Sequence, residues 1–286
     1  MTILTKMTLA AGAMLFSLPN MAADLTFQVY KPNQDAIFPV TSVLVSGAHK
    51  SILFDAQFSV ADGQALVDII KKSHKSLAMI YITAGDPDYY FGLQPLLAAF
   101  PDTPVFASTA IVEHIKQTKD AKLAYWGPIL GEQAPTKITV PEPLDSTELV
   151  LEGHTIEVKE AGTHQAYLWE PSSKTVFGGV SVSSGMHIWT ADTQTPEARG
   201  AWVDSLQKLN QLNPTRVIPG HFLGDLLPGS EAVDFSIKYL VHFEKALKES
   251  NSSTQVIDKM KRSYPNLAGE SDLELSSKVN TGEMAW

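Results

Sequence analysis

Apolar residues along the chain fall into short continuous runs and longer stretches of helical spacing. SVLVSG from Ser42, SILFDA from Ser51 and LAMIYIT from Leu77 are almost wholly apolar, the pattern of strands buried on both faces. LTFQVYKP from Leu25 and PVFAS from Pro104 read as further strands, and GAHK breaks two of the runs like a hairpin. Ser59 opens a helix, with Asp62 three residues on as its capping partner and Leu66, Ile69 and Ile70 on one face. Another helix is predicted to begin near Tyr90, and IVEHIKQ from Ile111 is helical.

The second half has the same style. ELVLEG, TIEVKEA, AYLWEP and TVFGGV read as strands. Thr195–Pro196 starts a helix, with a capping hydroxyl followed by proline at the first helical position, and Asn213–Pro214 stops it. TRVIPGHF reads as a strand ending at Gly220–His221, followed by a long helix with Val233, Ile237, Leu240, Phe243 and Leu247 on one face. Beyond Asn251 the tail is polar and weakly helical. Two halves of strands with helices outside predict an α/β fold, a four-layer αββα sandwich. No low-complexity linker divides the chain, so 23–286 reads as a single domain with a C-terminal helical tail.

Residues 1–22 stand apart. Lys6 precedes an apolar run from Met7 to Leu18, then Pro19 and the small residues Ala22 and Ala23. That is a secretory signal, too short to span a bilayer comfortably, and it predicts a periplasmic or secreted protein with no stable membrane insertion. The net charge of −9 over 286 residues argues against nucleic acid as a partner, since phosphate binding needs a basic face and the sequence shows none. The absence of cysteine excludes disulfides, thiolate zinc sites and cysteine nucleophiles.

The chemistry of interest begins where LAMIYIT runs into TAGDPDYYFG, a loop with two aspartates and two tyrosines ahead of a helix. This loop, Asp55 in SILFDAQF, the segment TVFGGVSVSSGMHIW and the closing RVIPGHF together resemble the metallo-β-lactamase superfamily, from about Phe27 to His221. The resemblance implies an αββα sandwich of that type, and a cleft in which two zinc ions acidify a bridging water. Each zinc needs about four ligands at roughly 2.0–2.2 Å from nitrogen or oxygen.

The departures fall on the ligands. Aligned with the histidine-rich loop T-H-x-H-x-D-H-Y-F-G, this chain has Ala84 and Asp86 at the first two histidines, Asp88 at the aspartate and Tyr89 at the adjacent histidine. The next histidine falls near Thr163, one residue from His164, and the bridging aspartate falls on Gly179. His221 alone matches at the far end. Gly153-His154-Thr155 spells a family triplet one strand too early.

The resemblance therefore predicts a protein without the dinuclear zinc centre, a non-catalytic or small-ligand-binding descendant. The alternative is a divergent hydrolase of an ester, lactone or amide. It would use one non-zinc metal ion held by Asp88 and His221, or an Asp88–His221 pair in acid–base chemistry. A hydroxyl from Ser181, Ser183, Ser184 or a tyrosine would then be the nucleophile, although no strained serine motif is present. Asp86, Tyr89, Tyr90, His164, His187 and Trp189 are the candidate ligand-binding residues. Aromatic residues here suit the walls of a small-molecule cleft or an ordinary core, and core is the simpler role for Phe91 and Trp189. No resident cofactor is expected. His49, His74, His114 and His242 read as surface or half-buried.

Overall fold

The computed structural model describes residues 24–33 and 36–286, so the predicted signal lies outside the described residues. The first sheet contains β1 (Thr26–Tyr30), β2 (Ser42–Ser46), β3 (Lys50–Phe54), β4 (Ser76–Tyr81), β5 (Val105–Ala107) and β6 (Glu142–Pro143), in that spatial order. Its first three strands pair antiparallel and the rest parallel. The parallel steps need crossovers. These are supplied by α1 (Val60–Ser73), the short α2 (Pro87–Tyr90), α3 (Leu93–Ala99) and α4 (Thr109–Leu130).

The second sheet has the order β12-β10-β9-β8-β7, built from β7 (Glu148–Leu151), β8 (His154–Lys159), β9 (Tyr167–Glu170), β10 (Thr175–Phe177) and β12 (Arg216–Val217). β11 (Ser183–Ser184) and β13 (His221–Phe222) form a separate parallel pair. The helices of this half are α5 (Pro196–Gln211), α6 (Glu231–Lys248), α7 (Ser253–Ser263) and α8 (Glu270–Asn280).

Strand alternation explains the layers. Val43, Val45, Ile52, Phe54 and Tyr81 turn one way and meet Ile156, Leu168, Phe177 and Ile218 of the second sheet. Their neighbours Leu44, Leu53 and Ile80 turn the other way, onto α1, α3 and α4. Tyr167, Trp169, Val176 and Val217 do the same against α5, α6 and α8. Strands apolar on both faces thus produce helix, sheet, sheet and helix, as predicted. The expected caps form as well: Ser59 Oγ accepts from Asp62 N at 3.0 Å and Thr195 Oγ1 from Ala198 N at 3.1 Å.

Two expectations are corrected. The helix expected near Tyr90 is two short pieces, α2 and α3, separated at Phe91–Gly92. TRVIPGHF is not one strand: Pro219 lacks the N–H a ladder requires, so Arg216–Val217 pairs with β10 and His221–Phe222 with β11. The tail is helical as expected, in α7 and α8, and its Val256, Met260 and Leu273 are fully buried.

The turn at Glu152 supplies a prediction. Its carboxylate accepts from the backbone N–H groups of Ala48, His49 and Lys50, pinning the β2–β3 hairpin. Desolvation works against the charge, but these three donors outweigh it and hold the pKa below its ordinary value. Glu152→Ala is expected to speed hydrogen exchange at those three amides. With a lowered folded pKa, the pinning is present above the ordinary carboxylate range and is lost as pH falls through the folded value. Unchanged exchange in the variant would show that the loop holds itself.

Candidate functional site

Asp55 follows β3 with φ 64°, a left-handed conformation rare outside glycine, asparagine and aspartate. Its carboxylate accepts from Thr83 N at 2.7 Å and Thr83 Oγ1 at 2.6 Å, and Thr83 Oγ1 accepts from Gly179 N at 2.8 Å. This relay ties a strand end of the first sheet to the loop after β10 in the second. Burial pushes the Asp55 carboxyl up to about 8, against the pull of the Thr83 hydrogen bonds.

Beyond that tie lies His221. Its backbone is held on two sides, by Ser183 across the β11–β13 ladder and by a bridge to Val40. Its Nε2 is 2.8 Å from Asp88 Oδ2, and its Nδ1 is 3.4 Å from Tyr89 Oη. The Tyr89 hydroxyl donates to Gly179 O at 3.1 Å. Burial works to lower the His221 pKa, but the Asp88 hydrogen bond and the charges of Asp88, Asp272 and Asp86 outweigh it and raise the value.

Two glycines make this packing possible. A Cβ on Gly220 would lie 1.9 Å from Gly179 O and 2.8 Å from Tyr89 Oη. Gly179 has φ 71°, and a Cβ there would lie 1.9 Å from Ala166 O. The position aligned with the bridging aspartate is therefore closed to any side chain in this backbone.

Asp86 leads elsewhere. It precedes α2, where its Oδ1 accepts from Lys122 Nζ at 3.2 Å. Burial raises its pKa, but the charges of Lys122 and His164 outweigh this and lower it. His164 lies in the β8–β9 loop, exposed, on the rim of the same cleft. His187 is buried, with Nδ1 3.0 Å from Tyr239 Oη, and burial lowers its pKa. Trp189 borders the cleft, its Nε1 donating to Asp192 Oδ2 at 2.5 Å. Tyr90 lies in the core cluster with Phe91, not among the cleft-lining residues, and its hydroxyl has no hydrogen-bond partner among the described residues. His49, His74, His114 and His242 are exposed.

The cleft has a volume of about 420 Å³. Of the ligand-binding candidates Asp86, His164, His187 and Trp189 line it and Tyr89 and Tyr90 do not, and the catalytic candidates Asp88 and His221 line it too. Several residues that the sequence did not single out line it too: Lys122, Tyr125 and Trp126 from α4, Asp272 from α8, and Trp286. Asp272 is 7% exposed, and burial pushes its carboxyl up to about 7. Among the described residues no group of three or more His, Asp and Glu side chains is placed to hold a metal ion. Ser181 Oγ donates to Gln165 O, and Ser183 borders the cleft beside His221.

No family model matches the chain, and no curated protein matches it in sequence. Solved structures do match. A metallo-β-lactamase from Pontibacter korlensis is similar with a TM-score of 0.54 and 18% identity, over 76% of this chain and 99% of that one. The DIM-1 metallo-β-lactamase gives 0.53 and 17%, over 77% and 98%. VMB-1 gives 0.53 and 15%, over 76% and 91%. The two facing sheets, the outer helices and this likeness define the chain as a protein with the metallo-β-lactamase fold.

Proposed function

We propose that this is an exported small-molecule-binding protein on a metallo-β-lactamase fold that has given up the dinuclear zinc centre. The observation that carries this reading is His221. A zinc-bound histidine is neutral and directs a ring lone pair at the metal. Here Nε2 faces Asp88 and Nδ1 faces Tyr89, and the surrounding carboxylates favour the protonated ring. The remaining donors do not fit two zinc ions. Ala84, Tyr89 and Gly179 stand at three ligand positions, and Asp86 is paired with Lys122. The same histidine disfavours the hydrolase reading: its Nε2 faces Asp88 and its Nδ1 faces Tyr89, so neither ring nitrogen is turned to take a proton from Ser183. What remains is a cleft of ligand-binding size with aromatic walls and a few polar groups. Export rests on the sequence of residues 1–22, and among the described residues no helix is long and apolar enough to cross a membrane.

The test is metal content together with thermal melting, on protein purified without chelator or added metal. Zinc is expected to be clearly substoichiometric, and the melting midpoint the same with and without a strong chelator. A metal present at a hundred times its Kd would add about 2.7 kcal/mol to the native state. A stoichiometric metal whose removal lowers the midpoint would therefore overturn the proposal.

A further inference from the structure

The charges in the cleft do not balance. Four of its lining carboxylates are Asp86, Asp88, Asp192 and Asp272. Asp86 has Lys122 at 3.2 Å and Asp88 has His221 at 2.8 Å. Asp192, at the rim, accepts from the indole Nε1 of Trp189 at 2.5 Å and of Trp286 at 2.8 Å, both uncharged donors. Asp272 is more than nine-tenths buried and lines the cleft, and its carboxylate makes no side-chain hydrogen bond among the described residues; the His221 charge acts on it only at a distance. His164 stands on the Asp86 side, where its charge acts on Asp86. Asp192 and Asp272 are thus left without a bonded cation. A buried carboxylate without a bonded cation is held toward its neutral form, and a ligand that brings a positive charge favours the ionised one.

The walls suit the same ligand. Trp286 and Trp189 meet edge to face with centroids 5.2 Å apart, Trp189 meets Phe38 at 6.3 Å, and Phe38 meets Trp126 at 5.1 Å. Tyr125 adjoins Trp126 and keeps 57% of its surface exposed, and Trp286 keeps 47%. A continuous band of aromatic rings beside carboxylates that lack a bonded cation is the surface that recognises ammonium groups. The rings present negative π faces, and the carboxylates offer negative charge to a cation that does not demand the tight hydration of a small metal ion.

We infer that the cleft takes an organic cation, a substituted ammonium group seated between the Asp272 carboxylate and the indoles of Trp189 and Trp286. The inference rests on reading the cleft as a small-ligand site and specifies the ligand's chemistry. Apolar substituents on the nitrogen would lie along Phe38 and Trp126. Anionic ligands would meet Asp88, Asp192 and Asp272 unfavourably.

The experiment titrates the mature protein with benzyltrimethylammonium, benzyl alcohol and benzoate at one ionic strength, followed by tryptophan fluorescence and calorimetry. The cation is expected to bind at least about tenfold more tightly than benzyl alcohol, with benzoate weakest. Asp272→Asn, which keeps the shape, is expected to cost the cation about tenfold and to leave benzyl alcohol unchanged. Asp192→Asn gives a smaller loss in the same direction, and it tests the charge at an exposed position where folding is not at risk. Equal binding of cation and alcohol, or a preference for benzoate, would overturn the cation assignment while leaving a small-molecule cleft. If none of the three probes binds, the assignment fails, and the metal measurements judge the wider reading separately.

Discussion

Gly179→Asp, the substitution that would restore the bridging carboxylate of the resembled zinc centres, is expected to destabilise the protein by about 2–5 kcal/mol and to confer no zinc affinity. Two costs combine. The backbone at Gly179 has φ 71°, which strains any β-carbon, and that carbon would sit 1.9 Å from Ala166 O. The surroundings cannot yield cheaply, because Gly179 N donates to Thr83 and Gly179 O accepts from Tyr89. Gly179→Ala isolates the backbone share and should show most of the loss. Urea unfolding gives the stabilities, and equilibrium dialysis against zinc gives the affinity. A Gly179→Asp protein with the parent midpoint, or with stoichiometric zinc, would show the bridging position to be open and the reading of this loop to be mistaken.

Removing one partner of the His221–Asp88 pair should be nearly as damaging. Asp88→Ala leaves an imidazolium beside Tyr89 without its counter-ion, at a cost of about 3 kcal/mol. The low end of the range applies because the His221 side chain keeps 17% exposure, against 6% for Asp88. His221→Ala strands the carboxylate instead. The double variant is expected to lose clearly less than the two single losses together, with a coupling of about 1–3 kcal/mol. That coupling would identify the pair as a structural lock in metal-free protein. Losses that simply add would show that the two groups do not depend on each other, and His221 would then be free for other chemistry.

The sequence determined the layers and half of the site. Runs apolar on both faces force a strand to be covered twice, and strict alternation then decides which residues meet the other sheet and which meet helices. Ser59 and Thr195 set their helix starts through purely local bonds. Asp88, Tyr89 and His221 were legible because each sits next to a strand end in a recognisable motif, and the structure brings those three side chains into contact.

Only the tertiary structure decided the rest of the cleft. α4 continues from Ile111 to Leu130 although only its first turns carry buried apolar residues, so no local periodicity announced that Lys122, Tyr125 and Trp126 would reach the site. Asp272 comes from a polar stretch 184 residues after Asp88 in the chain, and nothing about its neighbours marks it. Its burial depends on where α8 packs against the second sheet's helices, as Leu273 enters that core and turns Asp272 toward the cleft. Gly179 read as a missing ligand. In three dimensions it is a place where only glycine fits, because Ala166 of the neighbouring strand connection passes within reach of any Cβ. Local pattern fixes what a residue must do within its own element. Charge balance and steric room depend on elements far apart in sequence, and these decided what the cleft can hold.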